Sequence, residues 1–282
     1  GIKIVNNSHV KQINENNNLF NVLVKGSNSF DTKNILICTG GHPSGRKLAQ
    51  SLGHTIIQPV PSLFSLSSSD KSLESCSGIS LNVQAKLTVN KKRYIESGSL
   101  LITHKGFSGP VVLRLSAFSA RNLHANKYIG DLRINWLCMS DNEVRSKIDL
   151  YKLENGNKLI FNYKPFNKLP RSLWKSFLLS LNIDSQLKWA ELSKTKKESL
   201  IKYLIMKTYL IKGRGPFGEE FVTAGGVSLK EINFKTMESK ITKGVFFAGE
   251  VLDIDGVTGG FNFQHCWTSG WVAGKSIVVK YS

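Results

Sequence analysis

Val245-Phe-Phe-Ala248 is long enough for one buried strand and too short for a helix, and the residues downstream of it limit the folds open to this chain. Gly249 and Glu250 close the run, and a loop then carries acids at Asp253 and Asp255 and glycines at Gly256, Gly259 and Gly260. Beyond it, apolar or small residues fall at Phe263, Cys266, Trp267, Gly270, Trp271, Gly274, Ile277 and Val278, the spacing of a helix with one buried face. Strand, acid, glycine-rich loop and helix together form the corner by which an α/β sheet turns helix N–H groups and a positive dipole end toward an anionic or electron-rich ligand. The same pattern serves a plain strand–loop–helix corner, and glycine spacing alone leaves both readings open.

Upstream, the first 37 residues alternate as strands do, at Ile2 to Val5, Val10 to Ile13 and Leu19 to Val24, with Asn-rich turns between them. They lead into Ile35-Leu-Ile-Cys38, an apolar strand that ends in Thr39-Gly40-Gly41, after which Arg46 to Leu52 reads as a short helix closed by Gly53. Two prolines in Gln58-Pro-Val-Pro-Ser62 interrupt regular structure. Past them, strands are predicted at Ile79 to Leu87, Val89 to Ile95, Ser99 to Thr103 and Lys127 to Leu137, closing a small antiparallel barrel. A helix over Val111 to Leu123 has Ser108 as its cap and Pro110 near its first position. Helical patterns then cover Leu173 to Leu181 and Leu187 to Leu210, residues 213–218 read as a linker, and Phe221 to Val227 as a strand stopped by glycines. The organisation expected is discontinuous: residues 1–61 and 213–282 form one domain, and residues 62–212 a β-rich and helical insert.

The net charge of +18 invites a nucleic-acid reading. Only 8 of the 38 basic residues are Arg, the Lys residues are spread along the chain, and the planar forks that grip phosphates and base edges are few, so the composition argues against nucleic acid as a partner. The lysines on the exposed side of Leu187 to Leu210 read as a solvated face. Four cysteines, Cys38, Cys76, Cys138 and Cys266, show no metal or disulfide spacing, which fits a reduced, cytoplasmic protein. No apolar run approaches membrane-spanning length.

Four segments together resemble one family. They are Leu36-Ile-Cys-Thr-Gly-Gly41 with Gly53-His54 and Pro61-Ser-Leu63; Thr103-His-Lys-Gly-Phe-Ser-Gly-Pro110; Val222-Thr-Ala-Gly-Gly-Val227 with Thr236-Met-Glu-Ser-Lys240; and Ala248-Gly-Glu-Val-Leu-Asp-Ile-Asp-Gly-Val-Thr-Gly-Gly-Phe-Asn-Phe-Gln264. In this order they are similar to bacterial NAD(P)/FAD-dependent oxidoreductases of the aminoacetone-oxidase type, a family that includes a bile-acid-modifying reductase. The resemblance implies an α/β (α+β mixed) FAD-binding fold of the glutathione-reductase type with an inserted domain. It also implies FAD as cofactor, NADH or NADPH as an electron donor, and a small organic substrate. By the same resemblance Gly249 and Glu250 would face the flavin ribityl, and Gly259, Gly260, Phe261, Asn262 and Phe263 would offer backbone N–H groups to the isoalloxazine. Thr39, Gly40 and Gly41 would lie near the ribose and pyrophosphate.

His104 and Lys105, in the loop before the 111–123 helix, are candidate proton donors; the alternative is that this loop only joins strand to helix. His265, just inside the last helix, reads more readily as a packed histidine. The G-x-G-x-x-G turn with which such flavoproteins begin is not found in these 282 residues, nor is the loop after Thr-Gly-Gly as long as in many members. The N-terminal lobe is therefore expected to be absent and the residues alone to hold FAD weakly or not at all. A non-catalytic remnant of the same fold and a basic nucleic-acid binder are the competing readings.

Overall fold

The structure, a computed structural model, describes residues 2–16, 19–26, 28–215 and 222–281, with side chains as far as residue 279. In chain order its elements are β1 (Val10–Asn16), β2 (Leu19–Val24), β3 (Ser29–Thr32), β4 (Ile35–Ile37), α1 (Pro43–Ser51), β5 (Ile56–Ser62), β6 (Leu66–Ser68), β7 (Ser80–Val89), β8 (Lys92–Thr103), β9 (Gly106–Ser108), α2 (Pro110–Ala125) and β10 (Ile129–Asn135). They continue with α3 (Asp141–Glu154), α4 (Arg171–Ser180), α5 (Lys194–Met206), β11 (Lys207–Arg214), β12 (Val222–Val227), β13 (Ile232–Asn233), β14 (Glu238–Ser239), β15 (Val245–Phe247) and α6 (Phe261–Tyr281). Two compact units result, Gly1–Ser62 with Phe221–Ser282, and Leu63–Glu220.

The first unit holds a four-stranded sheet in the order β13-β14-β15-β4, an antiparallel sheet β1-β2-β3, and the pair β12-β5. Only β15 with β4 is a parallel pairing in the four-stranded sheet. Val245, Phe246 and Phe247 are all fully buried, as expected of an apolar run covered on both faces. They pack with Ile13, Phe20, Ile37, Leu48, Val251, Leu252 and Ala273 in a single core. Residues Ile2 to Val5, read as a strand in the sequence, form none.

The second unit is a closed six-stranded barrel, β10-β11-β6-β9-β8-β7, with every pairing antiparallel. Strict alternation drives it: along β7, Leu81, Val83, Ala85, Leu87 and Val89 point into the core while Ser80, Asn82, Gln84, Lys86 and Thr88 point away. Helix α2 joins that core through Val111, Val112, Leu115 and Leu123. The α3–α5 region adds Trp174, Trp189 and Phe177, and the two indoles donate to the carbonyls of Ile160 and Tyr163.

Several local expectations are corrected here. The strands expected at Val89 to Ile95 and Ser99 to Thr103 are not separate: Val89 ends β7, Asn90-Lys91, both at positive φ (47° and 68°), form the tight hairpin turn, and Lys92 to Thr103 run as one strand, β8. The helix expected over Leu187 to Leu210 spans only Lys194 to Met206, capped by the Ser193 side chain. Lys207 onward is β11, where Tyr209 and Ile211 point inward and Thr208 and Leu210 outward. Ser108 does not cap α2: Gly109 holds that place at φ 88°, while the Ser108 hydroxyl bonds that of Ser65 (2.6 Å). Helix α3, closed by a reciprocal Ser140–Glu143 capping box, is an element the periodicity did not reveal. The linker expected at 213–218 lies in part outside the described residues.

Candidate functional site

Because β15 and β4 run parallel with Phe247 opposite Ile37, their carboxyl ends emerge side by side, and Ala248 N–H still donates to the Ile37 carbonyl (3.1 Å). One strand then delivers Thr39-Gly40-Gly41 and the other Gly249-Glu250 to the same edge, the edge at which open α/β sheets hold their ligands. Glu250 is half-buried, and its carboxylate accepts the backbone N–H of Thr223 from β12 (2.9 Å). A methyl group on Gly41 would stand 3.2 Å from the Thr223 hydroxyl and 3.5 Å from the Glu250 carboxylate, so Gly41, Thr223 and Glu250 form one contact group. Thr39 belongs to a neighbouring contact: its hydroxyl lies where a side chain on Gly45 would be, and Gly45 opens the first turn of α1. That helix begins at Pro43, earlier than expected, with the His42 ring as its cap.

The glycines of Val222-Thr-Ala-Gly-Gly-Val227 do not stop β12. They lie inside it, at an irregularity in the pairing with β5. Gly226 (φ 142°) has the backbone of Val251 and Leu252 against it, at 2.4 and 2.7 Å from where a Cβ would stand. The strand can therefore pass directly beneath the Glu250 turn, and Asp253 N–H donates to the Val227 carbonyl (3.0 Å). Asp255 is held by the Ser62 hydroxyl (2.7 Å).

The glycine-rich loop is closed by a side chain. Asn262 accepts from Gly256 N–H through Oδ1 (2.7 Å) and donates to the Gly256 carbonyl through Nδ2 (2.9 Å), in the manner of a paired backbone. Gly259 and Gly260 are exposed at positive φ, and a Cβ on Gly260 would meet nothing within 4 Å. The first backbone bond of α6 runs from Gln264 N–H to the Gly260 carbonyl (2.9 Å), so the N–H groups of Phe261, Asn262 and Phe263 stand at the open end of the helix. Helix and strand end are riveted by Ser269, which accepts Gly249 N–H (2.9 Å) and donates to the His265 carbonyl (2.7 Å), while His265 Nε2 lies 3.3 Å from the Gly249 carbonyl.

The buried face expected of this helix is a correction. Phe263, Trp267, Trp271 and Val278 are between 64% and 68% exposed; of the expected face Cys266 and Ile277 are packed, and Ser269, Val272 and Ala273 complete the covered side. Small residues allow α6 to approach β15 closely, and the large rings are left outside, with Phe263 stacked on Trp267 and the Lys275 ammonium over Trp271.

Thus Gly41 and Glu250 meet around Thr223, Gly249 is held against α6 by Cys266 and Ser269, and Thr39, Gly40, Gly259, Gly260, Phe261, Asn262 and Phe263 are placed on the two loops that leave the same unit's strand ends. His104 and Lys105 belong to the other unit, at the exposed turn between β8 and β9. Thr223 and Ser269 were missed as site residues. Thr223 stood within a noted glycine motif, but its bond to Glu250 spans 27 residues and has no local signal.

A second polar cluster lies in the same unit. The buried His54 ring meets Glu231 Oε2 at 3.0 Å through Nδ1 and Ser239 Oγ at 2.9 Å through Nε2. Serine, histidine and carboxylate in that order suggest a nucleophile, but Ser239 is buried and accepts the N–H groups of Ile241 and Thr242 (3.0 and 2.8 Å). Its hydroxyl hydrogen therefore goes to Nε2, which leaves the ring proton on Nδ1, facing Glu231. Burial lowers the His54 pKa and outweighs Glu231, so the pair is a neutral imidazole donating to a carboxylate: a structural lock.

Comparisons with known proteins place the chain in a family. The model of the HI0933-like protein Rossmann domain matches residues 1–276. A ribosomal RNA dihydrouridine synthase of Haemophilus influenzae is 30% identical over 290 residues, covering 98% of this chain and 69% of its own length. A 3-dehydro-bile acid delta(4,6)-reductase of Clostridium scindens is 28% identical over 250 residues (86% and 59%), and a ribosomal RNA dihydrouridine synthase of Escherichia coli 27% over 261 residues (88% and 61%). The chain therefore spans between 59% and 69% of the length of these relatives. With a Rossmann-domain match over nearly its whole length and a parallel strand pair that presents Glu250 beside a glycine loop, the chain belongs to the HI0933-like family of FAD-binding Rossmann proteins.

Proposed function

We propose that this chain forms the larger part of an FAD-dependent oxidoreductase, of glutathione-reductase-type fold, that adds hydride to a carbon–carbon double bond conjugated with a carbonyl. The observation that carries it is Glu250, fixed by Thr223 N–H at the shared end of two parallel strands and lying against Gly41. FAD fits what surrounds it. A Cβ at Gly41 would crowd the carboxylate, whereas Gly40 and Gly260 face open space, and three helix N–H groups have no helical acceptor. Glu250 would accept hydroxyl hydrogens of the ribityl chain, Gly40 and Gly41 would let the cofactor lie against backbone, and the α6 N-terminus would favour negative charge at the ring's pyrimidine end. When bound, the flavin supplies the two-electron hydride chemistry.

The reaction class rests on the relatives' names. A dihydrouridine is a uridine whose conjugated double bond has been saturated, and a delta(4,6)-reductase likewise saturates ring double bonds, so two different substrates share one chemistry. NADH or NADPH would supply the electrons. The pyrophosphate would be held by sequence that the longer relatives carry and these residues do not span, and His104 or Lys105 would donate the proton. The +18 charge, set aside on composition, gains weight from two relatives named for ribosomal RNA.

The test is the visible absorption of the complete protein, which is expected to show bound flavin that bleaches on anaerobic addition of a reduced nicotinamide. Glu250→Gln should weaken FAD binding by about 1.5–3 kcal/mol, tenfold or more, because a charge-assisted hydrogen bond is lost. Absence of flavin from the complete protein would refute the proposal, and unchanged turnover in His104→Ala would remove His104 from it.

A further inference from the structure

On the outer face of the barrel, strand register lines up a second feature. Lys86 of β7 stands directly opposite Arg133 of β10, and one step along, Thr88 stands opposite both Asp131 and, across β8, Arg93. Thr208 of β11 pairs with Arg133 on its other side. These six residues line one concavity of about 310 Å³ in the twisted sheet. Its charge is three cations around one carboxylate, and among the described residues none of Lys86, Arg93 or Arg133 makes an ion pair or side-chain hydrogen bond. Like charges directly opposite on an antiparallel pair repel. Four other cations of this unit do have a carboxylate partner: Arg145 pairs with Asp141 and Glu198, Lys197 with Asp149, Lys207 with Asp70 and Arg114 with Glu96. The concavity is thus a place where three cations have been gathered around a single carboxylate, leaving an excess of positive charge.

We propose that this face is a phosphate-backbone contact surface for RNA. Two guanidinium forks can bind phosphate oxygens in pairs, Lys86 adds a point charge, and the hydroxyls of Thr88 and Thr208 can donate to the same oxygens. Ile95 and Leu210, exposed beside the concavity, offer apolar contact to sugars, and no aromatic ring lines it for base stacking, so the surface positions a strand without reading its sequence. The choice of RNA as the polyanion rests on the reductase reading above; the presence of an anion site rests on the register alone.

The experiment is fluorescence anisotropy of a labelled stem–loop RNA with the complete protein across a KCl series. In the triple variant Lys86→Gln/Arg93→Gln/Arg133→Gln the affinity is expected to fall about tenfold or more at low salt, and the slope of log K against log [KCl] to shrink by about 2–3, close to one per phosphate contact. Its urea midpoint should stay or rise, since an opposed like-charge pair has been removed, which separates lost binding from lost folding. A matched triple variant on α5, Lys194→Gln/Lys196→Gln/Lys202→Gln, lowers the net charge equally and should leave the slope in place. An unchanged slope in the barrel variant, an equal loss in the α5 variant, or binding of phosphatidylserine vesicles in place of RNA would each overturn the surface. The two readings fail separately. An unchanged slope in a protein whose flavin still bleaches removes the surface alone, and a reduced slope in a protein that binds no flavin removes the reductase reading alone.

Discussion

Gly226 and Gly40 both sit at positive φ, yet the chain has different reasons for each. At Gly226 a methyl group would stand 2.4 Å from the Val251 carbonyl oxygen, and a carbonyl inside a packed turn cannot swing away as a side-chain tip can. Gly226→Ala should therefore cost about 3 kcal/mol or more, read as a lower urea midpoint. Around Gly40 no atom lies within 4 Å, so Gly40→Ala carries only the left-handed backbone penalty of about 1–2 kcal/mol. Its larger effect is expected on FAD affinity in the complete protein, because the new methyl group enters the space kept open beside Glu250's loop; undiminished affinity would make Gly40 a turn glycine and nothing more. At this scale the glycines and Glu250 were legible because each follows a short apolar run and their order along the chain carries information. Thr223 was not, since its role is a backbone N–H delivered by strand pairing, which no residue type announces.

Among the elements, α6 shows most clearly what periodicity can and cannot report. The spacing from Phe263 to Val278 identified a helix, but it could not say which apolar residues are covered. Residue size decided that, with Cys266, Ser269 and Ala273 packed and the indoles outside. Ser269 is the rivet between this helix and the strand end that presents Glu250. Ser269→Ala would leave Gly249 N–H, which is buried, without its acceptor, at a cost of about 1–3 kcal/mol, and should weaken flavin binding as the Glu250 turn loosens. If both stability and flavin affinity matched those of the parent protein, the rivet would be incidental. Similar reasoning explains two of the errors in the second unit. The step from α5 to β11 has no glycine or proline to mark it, and the leucines and isoleucines on either side satisfy both periods. Helix α3 buries only Val144 and Ile148, too few apolar positions to announce itself, although its Ser140–Glu143 box is written in the sequence.

Over the whole molecule, the two hydrophobic cores share no residue: one is built from residues between Phe64 and Ile211, the other from Ile13 to Leu52 together with Val227 to Ala273. Separate cores predict two calorimetric transitions. They also predict that acid acts on them unequally. His54 locks segments far apart in the chain within the first unit, by bonds to Glu231 and Ser239, and burial lowers its pKa from the ordinary value of 6.5. The unfolded chain therefore takes up a proton near pH 6.5 that the folded unit refuses, so stability is complete above that pH and falls as pH drops below it. Glu231 acts in the same direction further down: burial would raise its pKa, but bonds from Thr55 and His54 bring it below 4.5, so its contribution is lost only as pH falls past that value. In the second unit Asp70 is the counterpart. Its burial is outweighed by bonds from Ser72 and Lys207, and its lowered pKa makes it felt only below 3.8. Between about pH 7 and pH 5, then, the transition of the first unit should move to lower temperature while the other holds its place with respect to these groups. His54→Asn should lower the first transition at neutral pH and flatten its response to acid, since the titrating ring is gone. Transitions that shift together, or a variant whose first transition keeps the parent's pH slope, would show that the His54 lock is not what couples this unit to pH.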